Sequence, residues 1–224
     1  REPFPETEGE ILMDAIATQE LLTDFDRDAL REVATIGAGH VATALSQLAG
    51  AKVLIEVPQV SIVHISEVSK LIGPQEEPMA GMYMRLMGDG NGTILVALRR
   101  QAALSLVDLL LANLGRPAHL LSEMEQSALR EVGNILAGAF LTAIGNFVNV
   151  VLLPSVPHLA VDMIGALVQS LLIESGIDRD YAFVMHVSFL WGDHDVGGHL
   201  LIAPDATTMD ALLRRLRELS QDVC

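Results

Sequence analysis

The sequence has one cysteine in 224 residues, and it is the last, Cys224. Intramolecular disulfides and cysteine-based metal centres are therefore excluded, which fits a reducing compartment. Aromatic residues make up only 4%, so the core has to be built from closely packed aliphatic side chains. Basic residues are few, 14 Lys and Arg against 29 Asp and Glu, for a formal net charge of −15. That balance argues against nucleic acid as the main ligand, because phosphate backbones are bound by clustered Lys and Arg. Long unbroken hydrophobic runs are missing too. The most apolar stretch, 148–172, is interrupted by Pro154, Pro157, His158 and Asp162, whereas a spanning helix needs about 20 predominantly apolar residues. The first ten residues are acidic where an export signal would be basic. A cytoplasmic protein without membrane insertion is expected. The chain begins at Arg1 and is expected to be a trimmed or processed one.

What the sequence does have is 50% hydrophobic residues, enough for a sizeable core, and an internal repeat. Shifted by 99 residues (29 to 128), Ala29, Leu30, Arg31, Glu32 and Val33 become the identical Ala128, Leu129, Arg130, Glu131 and Val132. Ile36, Ala38, Gly39, Thr43 and Ala44 match Ile135, Ala137, Gly138, Thr142 and Ala143, and Val57-Pro58 matches Val156-Pro157. At a shift of 104 (86 to 190), Leu86-Met87-Gly88-Asp89 corresponds to Leu190-Trp191-Gly192-Asp193. The repeat predicts one domain of two similar halves, about 24–116 and 123–222, behind an N-terminal extension, 1–22, in which 8–22 form a helix.

Periodicity supplies the layout. Long amphipathic helices are expected at 24–49 and 122–148, and a strand at 51–65. Hairpins are expected at 79–87 with 92–99 and at 181–191 with 196–203, and helices at 100–114, 158–173 and 205–219. The sum is an α/β (α+β) fold with pseudo-twofold symmetry, a largely antiparallel sheet and the two long helices on one face.

At about 100° per residue, Ser127, Glu131, Asn134, Gly138, Thr142 and Gly145 share one face of the second long helix. Leu129, Val132, Leu136, Phe140, Ala143 and Phe147 form the opposite, core stripe. The first long helix repeats the arrangement with Asp28, Glu32, Thr35, Gly39, Thr43 and Ser46 against Leu30, Val33, Val41, Ala44 and Leu48. An exposed Glu and Asn on a helix are ordinarily just solvated. Asn, however, has no propensity advantage in mid-helix, and the small residues beside it leave the Glu–Asn pair standing proud enough to enter a partner's cleft.

These residues resemble the CheC family of chemotaxis phosphatases, which act on phosphorylated CheY. The family pattern is Asp or Ser, then Glu, then Asn one turn on, then a distant Pro. Ser127, Glu131, Asn134 and Pro157 fit it fully, whereas Asp28, Glu32 and Pro58 fit with Thr35 in place of Asn. The resemblance runs from about Leu22 to Leu219 and implies a water-positioning mechanism. The receiver's phosphoaspartate, with its Mg²⁺ and lysine, is already activated. A carboxamide offers a donor and an acceptor and can hold a water in line, as the Gln of GTPases does. On this resemblance Asn134 orients the water, Glu131 binds the receiver lysine, and Ser127 adds a polar contact. Thr35 lacks the amide, so the first site is expected to be weak or inactive, with Glu32 still able to dock. The segment from His158 resembles the region where family members bind the receptor deamidase CheD, with Asp162 the candidate contact. No cofactor or metal is expected in this chain; Mg²⁺ belongs to the receiver.

Two other functional classes fit the same residues. One is a non-catalytic adaptor for a receiver or CheD. The other is a component of the flagellar switch, against which the end of the chain soon after the second repeat is expected to count. A monomer is favoured because duplication already supplies the symmetry. His194 and His199 beside Asp193 and Asp195 invite a metal, but the glycine-rich string reads better as a hairpin turn. A calcium loop at Asp89 lacks the bidentate Glu. Gly37-Ala38-Gly39 has no matching Lys and reads as a close-packing site. Met79, Met82, Met84 and Met87 are expected to pack in or beside a strand.

Overall fold

A computed structural model describes residues 24–111, 122–175 and 181–221. The elements run α1 (Asp24–Ala49), β1 (Leu54–His64), a 3-10 turn (Ile65–Glu67), α2 (Val68–Ile72), β2 (Pro78–Gly88), β3 (Gly92–Arg99) and α3 (Arg100–Leu110). They continue as α4 (Glu123–Val148), β4 (Leu152–Pro154), β5 (His158–Met163), α5 (Ile164–Ser175), β6 (Tyr181–Trp191), β7 (His194–Pro204) and α6 (Ala206–Gln221). The expected helix at 8–22 lies outside the described residues, as do the ends of both expected halves.

All seven strands join one sheet, in the order β1-β6-β7-β3-β2-β4, with β5 also paired to β2, and every pairing is antiparallel. The outer strands are exchanged. β1 comes before the first hairpin (β2–β3) yet pairs with β6 of the second, while β4 and β5 come before the second hairpin yet pair with β2 of the first.

The expected helix over 158–173 is a strand followed by a helix. His158–Met163 pairs with β2 from Tyr83↔His158 to Pro78↔Met163, and α5 begins only at Ile164. The apolar run is compatible with either state, and the hydrogen-bonding edge offered by β2 decides for strand, since short apolar segments cannot be assigned from periodicity alone.

Alternation places successive strand residues on opposite faces of the sheet. Met82, Met84, Ile94, Val96, Phe183, Met185, Leu200 and Ile202 face α1, α3, α4 and α6 in the larger core. Met79, Leu95, Val184 and Leu201 face α2 and α5 in the smaller one, where the Tyr83 hydroxyl donates to the Leu167 carbonyl at 2.6 Å. Met79, Met82 and Met84 are thus strand-borne core residues as expected, and Met87 is exposed.

α4 is framed by its own sequence. Ser122 Oγ accepts from Glu125 N (3.4 Å), while Glu125 Oε2 accepts from Ser122 N (2.6 Å), a reciprocal capping box. At the other end Asn149 adopts a left-handed conformation, φ 58°, and Val150 N donates to Gly145 O at 2.9 Å. A side chain at Gly145 would sit 2.5 Å from the Val150 carbonyl oxygen, so the chain doubles back there only over glycine. α4 is the one described helix long and apolar enough to cross a membrane, and half of that window is buried inside the protein.

α1 and α4 lie side by side. They are in close contact at Gly37, where an added Cβ would meet Phe140 Cδ1 at 2.7 Å. Phe140 is 0% exposed. Gly37 is therefore a close-packing position, as expected, whereas Gly39 of the same string is exposed with nothing within 4 Å of an added Cβ.

Candidate functional site

α4 separates its residues cleanly. Leu129, Val132, Leu136, Phe140 and Ala143 are buried in the core, and the cost of dislodging them holds the helix in one orientation. Ser127, Glu131, Asn134 and Thr142 on the other side are exposed, and Gly138 is partly so. Glu131 and Asn134 are three residues apart on a continuous helix, so their side chains are neighbours on its surface. No hydrogen bond or ion pair with a described residue engages either one. Their carboxylate and carboxamide are consequently available to an incoming molecule. Gly145, expected on this face, is buried at the turn into β4 instead.

α1 presents the equivalent face with different details. Glu32, Thr35, Gly39 and Thr43 are exposed. Asp28 pairs loosely with Arg31 at 3.6 Å, an exposed contact of little energetic weight. Thr35 Oγ1 donates to the Arg31 carbonyl at 2.9 Å. Its hydroxyl is folded back onto its own helix, the usual resting place of a mid-helix threonine. Ser46, expected on the open face, is partly buried and clamps the end of α1 by accepting from Val53 N at 2.9 Å and donating to Val53 O at 3.2 Å. Leu48, expected in the core stripe, is 47% exposed. Ile36, beside Thr35, is 46% exposed and was not singled out by periodicity.

The two prolines do different things. Pro58 is exposed within β1, where the register with β6 shifts between Glu56 and Gln59. A proline has no ladder N–H to give, so it is accommodated at an edge-strand irregularity. Pro157 lies in the break between β4 and β5. That break is held by Ser155, whose Oγ accepts from Arg85 N at 2.8 Å and whose N–H donates to Arg85 O at 2.9 Å. Asp162 is exposed near the end of β5, and its Oδ1 accepts from Met163 N at 2.8 Å. It sits on a strand, a different element from the helix that carries Glu131 and Asn134.

The set-aside histidines separate. His194 stacks on Trp191 (ring centroids 5.0 Å, 17°), whereas His199 meets His186 across the β6–β7 ladder at 5.1 Å. His199 Nδ1 is buried without a hydrogen-bond partner. Burial, then His186, then Arg99 lower its pKa to about 4, so it is neutral at pH 7. His186 had no signal in the sequence, because a cross-strand pairing thirteen residues apart depends on register. Among the described residues no three His, Cys, Asp or Glu side chains converge on a metal-sized site. The Asp89 carboxylate is already occupied, accepting from Val151 N at 2.8 Å.

The fold, with its exposed polar helix face, is one shared with proteins of known structure. It superposes on the crystal structure of Thermotoga maritima FliY with a TM-score of 0.70 at 16% identity, covering 88% of this chain and 98% of that one. The CheC-like family model matches twice, at residues 25–62 and 124–160, once over each long helix and the strand region after it. The Bacillus subtilis (strain 168) protein named CheY-P phosphatase CheC is 34% identical over 189 residues, 83% of this chain and 90% of that protein. A Halobacterium salinarum protein named putative CheY-P phosphatase CheC1 is 22% identical over 84% of this chain and 94% of its own length. The chain belongs to the CheC-like family.

Proposed function

We propose that this chain is a phosphatase that hydrolyses the aspartyl phosphate of a phosphorylated CheY-type receiver, and that α4 is its working face. The observation that carries the reading is the Glu131–Asn134 pair, exposed and unengaged on a helix whose opposite face is fully packed. Family membership gives the substrate class, since the Bacillus subtilis relative is named for CheY-P.

In this reading Asn134 enters the receiver's phosphorylation site and aligns a water with the phosphorus. Its carboxamide oxygen accepts a hydrogen bond from the water and its NH₂ group donates one to a neighbouring oxygen, which removes much of the orientational entropy from the attack. The water oxygen bonds to phosphorus while the bond from phosphorus to the aspartyl oxygen breaks. The electron pair leaves on the aspartate carboxylate, and the water proton ends on the released phosphate. Glu131 pairs with the receiver's lysine and sets the register of docking, with Ser127 at the margin. The Mg²⁺ that activates the phosphoryl group is part of the substrate. α1 fails at one point only. Glu32 is present, but the Thr35 hydroxyl is engaged with the Arg31 carbonyl and has no paired donor and acceptor to hold a water in line.

The test is Asn134→Ala, followed as loss of phosphorylated receiver. Removing a water-positioning group is expected to cost about 100-fold or more in turnover, with a thermal midpoint no lower than the parent's, because the side chain is exposed and alanine is the better helix former. A variant that hydrolyses as fast as the parent overturns the reading.

A further inference from the structure

Five glycines punctuate the two long helices, and three are dictated from inside. A Cβ at Gly37 would meet Phe140 Cδ1 at 2.7 Å, one at Gly133 would meet Met82 Sδ at 2.9 Å, and one at Gly145 would meet Val150 O at 2.5 Å. Gly39 and Gly138 are different, because nothing lies within 4 Å of the Cβ each would carry. Neither has a positive φ, so neither backbone nor packing calls for glycine. In a helix interior glycine is markedly less favourable than alanine, so something outside the chain has to account for the choice. These two open positions are also the same position of the repeat (39 + 99 = 138). Each lies one turn beyond the residue, Thr35 or Asn134, that faces a partner.

The next turn repeats the feature. Thr142 Oγ1 donates to Gly138 O at 2.7 Å and Thr43 Oγ1 donates to Gly39 O at 2.9 Å. Each threonine side chain is thereby folded down along the helix and does not stand away from it. The face just beyond Asn134 is thus a low saddle, bare backbone at Gly138 followed by a flattened threonine.

From this geometry we infer that Gly138 is a clearance position: it lets the receiver's surface seat directly against the α4 backbone and so sets how deeply Asn134 reaches. The inference rests on the reading of α4 as the receiver-binding face and adds a specificity-determining residue to it. A side chain at 138 holds the receiver away, and because in-line attack tolerates displacements of only about 1 Å, even a methyl group matters.

Binding of CheY loaded with beryllofluoride and Mg²⁺ reads this without catalysis. Gly138→Ala is expected to raise the thermal midpoint by about 2 °C, as a better helix former in open space, while weakening binding at least threefold. Gly138→Leu is expected to weaken it at least thirtyfold with the parental circular dichroism spectrum. A purely structural role cannot make the protein more stable and the complex weaker together. A parent chain that does not bind the loaded receiver overturns the underlying reading. A parent that binds, with Gly138→Leu folded and equally tight, overturns this inference alone. Should Gly138→Leu fail to fold, Gly138→Ala decides, and parental or tighter affinity is the refuting result.

Discussion

Gly37→Ala tests how α1 and α4 are held together. In an exposed helix the exchange would stabilise by about 1 kcal/mol. Here the new methyl carbon would lie 2.7, 3.0 and 3.2 Å from three atoms of the Phe140 ring, all inside ordinary contact. The ring is 0% exposed and enclosed in the core, so relief requires the helices to part or the ring to shift against its packed neighbours. Overpacking of this kind costs about 1–3 kcal/mol, and the fully enclosed ring places the cost at the upper end. The net expectation is a loss of about 1–2 kcal/mol. With a urea dependence of about 2 kcal/mol per molar for a chain of this size, the unfolding midpoint should fall by about 0.5–1 M, read by far-ultraviolet circular dichroism. Combining the change with Phe140→Leu should recover at least about 1 kcal/mol relative to the sum of the single effects, because the two positions share one contact. A Gly37→Ala protein as stable as the parent, or more so, would show that the helices are not clamped at this crossing.

Two further outcomes follow from the geometry. Thr35→Asn supplies the carboxamide that α1 lacks and is expected to at least double turnover of the phosphorylated receiver; unchanged turnover would mean that the first face lacks more than a side chain. His199 should make the fold acid-sensitive. Its folded pKa of about 4 lies below the ordinary 6.5, so the unfolded chain takes up the proton first. The contribution is intact above about pH 6.5 and is lost progressively as the pH falls towards 4. Urea midpoints measured from pH 7 to pH 4.5 should fall less steeply for His199→Gln than for the parent, and parallel profiles would refute the assignment.

The repeat carried most of the fold. Identical segments 99 residues apart located both long helices, and glycine-bearing turns located both hairpins. Two things escaped because they are decided between segments. His158–Met163 is apolar enough for either state, and only the neighbouring edge of β2 makes it a strand. The exchange of outer strands leaves no local mark, since β1 carries the same composition whichever hairpin it pairs with. The polar helix face was readable because helical spacing alone brings Ser127, Glu131 and Asn134 together. What spacing could not separate were glycines. Gly138 and Gly145 look alike in the sequence, yet one has open space above it and the other lies against a carbonyl oxygen.

The exchanged strands bear on why a half without the asparagine persists. β1, attached to α1, completes the sheet beside β6, in the hairpin of the half that carries Asn134. α1 in turn provides the Gly37 surface that Phe140 of α4 rests on. Thr35 is exposed, so its side chain can be exchanged with little disturbance, whereas the strand and the helix contact around it cannot. Deleting residues 24–64 would strip α4 of its neighbour and leave β6 an open edge. The segment bearing Thr35 is thus needed for the sheet and for the seat of α4, whichever residue stands at position 35.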